Sequence, residues 1–215
     1  MREHTETLIE RLSREAEPVK PLSPPMLRAA SLLIPLLGLM TAIAMWIGQA
    51  DGLISHLHDP IFMSATIGSL LTGVCAFVAA LNLSIPGRSA AWAWLPIPPA
   101  AVWLSANALQ CVNHIATIGL HDFSPFASAD CFVFIMMTGT AIAVATYLLV
   151  RNTIAANTLS VTALIGLSAA TLGMALLTFF HPPGTNPVDF LTHLTATIAL
   201  VLFMVTAGRG ALEPN

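Results

Sequence analysis

The chain has 215 residues, of which 56% are hydrophobic and 9% charged, and its formal net charge is −3. Soluble domains carry roughly a quarter of their residues as charges, so this composition excludes an ordinary water-soluble globule. The missing Lys/Arg cluster excludes the electrostatic footprint of direct nucleic-acid binding and of a polybasic lipid anchor, and three cysteines without a CxxC give neither a disulfide framework nor a zinc knuckle.

In chain order, the first element is polar. Thr7 followed by Glu10 has the form of a capping box, and Glu17 ahead of Pro18 ends the period, which predicts a short amphipathic helix from Thr7 to about Glu17. Leu8, Ile9, Leu12 and Ala16 share one face, while Glu10 and Arg14 form an i,i+4 pair on another. A helix of about ten residues is marginal alone in water and calls for a partner. The segment before the first apolar run has balanced charge and few apolar residues, so membrane-surface binding is weak. The remaining cytoplasmic loops are a few residues long, which leaves a separate protein receiving Leu8, Ile9, Leu12, Arg14 and Ala16 in a groove. The Pro-rich run Pro18 to Pro25 is a stiff, extended tether.

Apolar runs long enough for the ~20 residues that a bilayer requires follow at about Leu27 to Gly48, Ile61 to Leu83, Ala90 to Gln110, Cys131 to Val150, Ile154 to Phe179 and Phe190 to Ala207. The expected fold is therefore all-α: a polytopic bundle of six transmembrane helices preceded by a short cytoplasmic helix. Residues 1–26 are helix and tether, 27–208 the membrane domain, and 209–215 a short tail. Pro96, Pro98 and Pro99 predict an irregular first turn in the third span. Gly68 and Gly73 in the second span and Gly166, Ala170 and Gly173 in the fifth mark close helix contacts.

Basic residues collect on cytoplasmic flanks. Arg2, Arg11, Arg14, Lys20 and Arg28 precede the first span, Arg88 follows the second, Arg151 the fourth and Arg209 the sixth, so all eight fall on one side. Both termini are then cytoplasmic. The opposite side holds His114, His181, Asp189 and His193, a ligand set suited to zinc or a similar divalent ion, with Asp189 and His193 spaced i,i+4. Cys111, ending the third span, and Cys131, starting the fourth, are placed at the same outer interface, where a disulfide is permitted.

The order Thr7-Leu8-Ile9-x-x-Leu12, then Pro18-Val19-Lys20-x-Leu22-x-Pro24-Pro25, resembles the N-terminus of the NrsF-type family of negative regulators of sigma-F, six-span anti-sigma factors of the extracytoplasmic-function class. Pro86-Gly87-Arg88, Cys131, Phe180-His181-Pro182 and Asp189-Phe190-Leu191-Thr192-His193 continue the resemblance along the chain. It implies a bacterial inner membrane and a non-enzymatic role in which the N-terminal segment holds a sigma factor at that membrane until an envelope, oxidative or metal stress releases it. A cysteine common in relatives ahead of the last outer loop's proline is His181 here. The competing reading is a haem- or metal-binding membrane redox protein. Against haem, only His193 sits clearly inside a span, whereas axial ligation favours histidines on facing helices. HExxH and GxSxG motifs are absent.

The charge asymmetry carries a topology prediction. Reporter fusions at Arg88, Arg151 and Asn215 should read cytoplasmic, and fusions at Asp59, Asp122 and Gly184 periplasmic; a periplasmic Arg88 would break the six-span arrangement.

Overall fold

The computed structural model describes residues 2–15, 23–47, 56–119, 125–151, 153, 158–180 and 186–212. Seven α-helices account for most of them: α1 (Arg2–Glu15), α2 (Pro25–Ile47), α3 (Pro60–Leu83), α4 (Ile97–Ile118), α5 (Pro125–Val150), α6 (Thr158–Leu177) and α7 (Pro187–Leu212), with a 3₁₀ turn over Ala90–Trp94 between α3 and α4. No strand occurs among the described residues.

The helices start where local chemistry lets them. Asp59 accepts hydrogen bonds from the amides of Ile61 (2.9 Å) and Phe62 (3.3 Å), and Pro60 follows at the first helical position, where its missing N–H is no loss. Asn186 does the same for α7, accepting from the Asp189 amide at 2.9 Å, with Pro187 next in the chain. Asp189 thus stands in the first turn of a helix, where the macrodipole favours a carboxylate.

Five helices, α2, α3, α5, α6 and α7, are long and apolar enough to cross a membrane. The six-span expectation is met by five on this measure, and the difference lies at the third span. Its helix runs over Ile97–Ile118 rather than from Ala90 to Gln110. Pro98 and Pro99 cannot sit deep in a helix but are tolerated in its first turn, so they set the start. The later boundary adds Asn113 and His114 to a helix that already holds Asn107 and Gln110, and so dilutes its apolar character.

α6 is the hub, packing against α3, α5 and α7, and 78% of its spanning window is buried. It is built for close approach. A Cβ on Gly166 would lie 2.6 Å from the Val201 Cα of α7, and one on Gly173 would lie 2.9 Å from Thr138 Oγ1 of α5. One on Gly73 of α3 would strike Leu172 of α6. The small residues expected at helix contacts are therefore at them, and lipid-surrounded helices associate through such packing because the solvent gives no hydrophobic drive between them. Two apolar clusters fill the bundle. One joins Ala76 to Leu83 of α3 with Ile142, Val150, Val161, Ile165 and Leu172, and the other joins Trp103, Cys131, Ile135, Ala170, Met174, Ala196 and Leu200.

Several buried hydroxyls and amides bond inside their own helices. Thr72 donates to the Gly68 carbonyl (2.7 Å), Thr146 to Ile142 (2.7 Å), Asn82 to Val78 (2.8 Å) and Asn107 to Trp103 (2.8 Å). Back-bonding of this kind is the local remedy where water is absent.

Gly166→Val should lower the melting temperature of the detergent-solubilised protein, since overpacking against another backbone costs about 1–3 kcal/mol. Gly38→Ala, where an added Cβ meets nothing within 4 Å, should be neutral or stabilising by up to about 1 kcal/mol. Equal effects would remove the close-approach account of α6 and α7.

Candidate functional site

The first candidate site is the outer face of α1. Among the described residues the helix begins at Arg2, five residues earlier than the capping-box reading places it, so Thr7 stands in the helix interior rather than at its N-cap. The sequence ahead of Thr7 carries acidic residues, which favour a helix N-terminus and so an earlier start. Leu8, Ile9 and Leu12 are 51, 60 and 57% exposed and share one face. Two surface ion pairs brace the helix: Arg14 to Glu10 at 2.7 Å and Arg11 to Glu15 at 2.9 Å, both i,i+4. Each contributes a few tenths of a kcal/mol at most. Arg14 is thus occupied within the helix. Ala16 lies outside the described residues.

The second candidate is the end of the bundle that holds the C-terminal part of α4 and the first turns of α5 and α7. Cys131, Cys111 and Asp189 are 4, 8 and 3% exposed, and the Asp189 carboxyl lies close enough to both thiols to act on them electrostatically. Neither cysteine is in a disulfide among the described residues. His114 stands one turn beyond Cys111 on α4 and His193 one turn beyond Asp189 on α7; both are half-buried, each with a buried Nε2 atom. Of the residues singled out in the sequence, Asp189 and the two thiols are thus brought close enough to interact. Among the described residues no three His, Cys, Asp or Glu side chains are arranged to hold a metal ion. His181 lies outside the described residues; its neighbour Phe180 packs its ring 5.6 Å from that of Phe134 on α5.

Burial of the thiols corrects a boundary. Cys111 and Cys131 were expected at the ends of spans, yet each helix continues past its cysteine, α4 by seven residues and α5 by six. The extra turns carry polar residues, including Asn113, His114, Ser128 and Asp130, that a count of apolar residues discards. Cys131 is packed with Trp103 of α4, Ala170 and Met174 of α6 and Ala196 and Leu200 of α7.

One residue escaped the sequence reading as a structural element. Arg28, counted only as an inward-side charge, is 7% exposed and donates from Nη2 to the Leu149 carbonyl in the last turn of α5. A cation there meets the negative end of the helix dipole. Its Nη1 has no acceptor among the described residues. Arg28 therefore pins the start of α2, directly after the tether, to the end of α5. The available signal was its position one turn inside an otherwise apolar helix, where a charge is retained only with a partner.

A family model for NrsF, negative regulator of sigma F, matches residues 12–212. No curated protein and no solved structure matches the chain.

Proposed function

The chain belongs to the NrsF family of negative regulators of sigma F, and from that membership we propose that it captures an extracytoplasmic-function sigma factor on α1 and holds it at the inner membrane. The family makes a sigma factor the partner. The observation that carries the capture site is the α1 face, where three large aliphatic side chains stand exposed beside one another on a helix whose own ion pairs leave that face clear. A groove on a partner protein is the usual recipient of such a face. Fully burying one such side chain contributes about 1.5–3 kcal/mol, so a short helix depends on every anchor.

In this reading residues 1–26 form the capture segment, with Leu8, Ile9, Leu12 and Ala16 as contacts and Arg14 positioned on the helix flank. Residues 27–208 form the membrane domain, and 209–215 a short tail on the same, cytoplasmic side. The nine residues 16–24 between α1 and α2, rich in proline, reach roughly 28 Å if extended. That length keeps a bound sigma factor near the bilayer and away from the transcription machinery. The action is sequestration; no catalysis is invoked, and no nucleic acid is contacted directly.

The outer cluster is the proposed input. Two thiols beside a carboxylate, with two histidines one turn away, form a group whose packing changes when a thiol is oxidised or when a thiophilic divalent ion binds. The metal reading uses His114, His181, Asp189 and His193, with His181 completing the set from the last outer loop. Release follows if the altered cluster favours a different arrangement of α5 and α7, since a ligand shifts an equilibrium only through its unequal affinity for two states.

Two experiments separate capture from input. Leu12→Asp, or deletion of residues 1–18, should abolish co-purification of the sigma factor while the protein stays in the membrane fraction; a deleted form that still retains it removes α1 as the binding element. Cys131→Ser, and separately Asp189→Ala with His193→Ala, should leave resting capture intact and reduce stress-induced release several-fold. Unchanged induction by oxidant and by divalent metal in both variants would leave the cluster as packing.

A further inference from the structure

The stretch between α3 and α4 presents an arrangement that neither capture nor sensing uses. A Cβ on Gly68 would lie 2.8 Å from the Trp103 backbone nitrogen, so Gly68 of α3 and Trp103 of α4 stand at the same height. Fifteen residues separate Gly68 from the end of α3 at Leu83, but six separate Trp103 from the start of α4 at Ile97. With the two helices packed along each other, α4 begins about 13 Å short of the end of α3, at ~1.5 Å per residue. Residues 84–96 therefore climb back along α3 toward the bilayer interior.

This returning segment is amphipathic in its own way. Ser89 caps the 3₁₀ turn, accepting from the Ala91 amide at 3.2 Å. Trp92 and Ala93 pack inward on the α3 cluster. Trp94 is 70% exposed, and Leu95 and Ile97 are exposed beside it. Ser89, Ala91, Trp92, Trp94 and Leu95 line a notch of about 370 Å³. Directly ahead of Ser89, Arg88 is exposed, and no carboxylate pairs with it among the described residues. From the level of the α3 end inward, the order is thus cation, hydroxyl, indole, aliphatic. Indoles settle at the headgroup level of a bilayer, and guanidinium groups pair with phosphate in bidentate fashion.

We infer that the Arg88–Trp94 segment binds the head group of an anionic phospholipid, with the phosphate on Arg88, the glycerol region in the Trp94 notch and an acyl chain along Leu95 and Ile97. This rests on the reading of the chain as membrane-spanning. The site holds the least apolar helix of the bundle, α4, at its depth by anchoring its start.

The test uses the full-length protein in detergent, titrated with phosphatidylglycerol or phosphatidylcholine and read by native mass spectrometry. The wild type should bind one phosphatidylglycerol about five-fold more tightly than phosphatidylcholine, the scale of one basic residue near a lipid surface. Arg88→Gln should erase that preference, and Trp94→Ala should weaken binding of both lipids. Both side chains are exposed, so the fold should persist, as circular dichroism would verify. Arg151→Gln, which removes another exposed cation, should change nothing. No preference in the wild type, or an equal loss in Arg151→Gln, overturns the inference. Competition by millimolar inorganic phosphate alone would make this a free-anion site and also overturn it. So would a Trp94→Ala protein that binds lipid normally but loses its sigma factor, which would assign the surface to a protein partner. Carbonate extraction of the wild type from membranes would instead overturn the membrane-spanning reading itself.

Discussion

Close backbone approach around α6 is the constraint on which the rest of the bundle depends. In a bilayer the lipid tails are as apolar as the side chains, so helices gain little by hiding leucines from them and must gain by contact. Gly166 lets α7 come to within contact of the α6 backbone, and Gly173 and Gly73 do the same for α5 and α3. With those faces matched, the lipid-facing sides are left free of specific demand, which is why large aliphatics such as Leu71, Val144 and Leu202 stand exposed without penalty.

The same solvent dictates where polar groups go. Threonines and asparagines inside the bundle bond to carbonyls one turn back, and two further polar arrangements stand near the two ends of α5. At the outer end Cys131 packs near Asp189 of α7 and beside Trp103 of α4. At the inner end the Leu149 carbonyl receives Arg28 from α2. Eighteen residues, about 27 Å of rigid helix, separate the two. α5 is thus in contact both with the cluster proposed as input and with the helix that bears the tether, and α2 is otherwise lightly held, packing mainly on α3.

α1 obeys a different physics. It is short, exposed and braced by two solvent-facing ion pairs that add little, so its stability is borrowed from whatever covers Leu8, Ile9 and Leu12. If α1 is the proposed capture element, it would be easily released, because the bound state would be only as stable as a few aliphatic contacts.

What the sequence by itself determined was the all-α class, the span positions to within about two turns, the amphipathic face of α1 and the small residues at helix contacts. Each follows from a local property: apolar run length, period or side-chain size. The family resemblance was legible in the same way, from ordered short motifs, and the match over residues 12–212 agrees with it. What only the tertiary structure decided were the placements that depend on a second helix. Neither the inward return of residues 84–96 nor the burial of Cys111 and Cys131 is written in apolar runs: the first follows from how far α4 slides along α3 before Gly68 meets Trp103, and the second depends on neighbouring helices, which for Cys131 are α4, α6 and α7. Arg28 shows the same limit: its charge indicated a side of the membrane, but only the end of α5 standing beside it turned that charge into a structural bond.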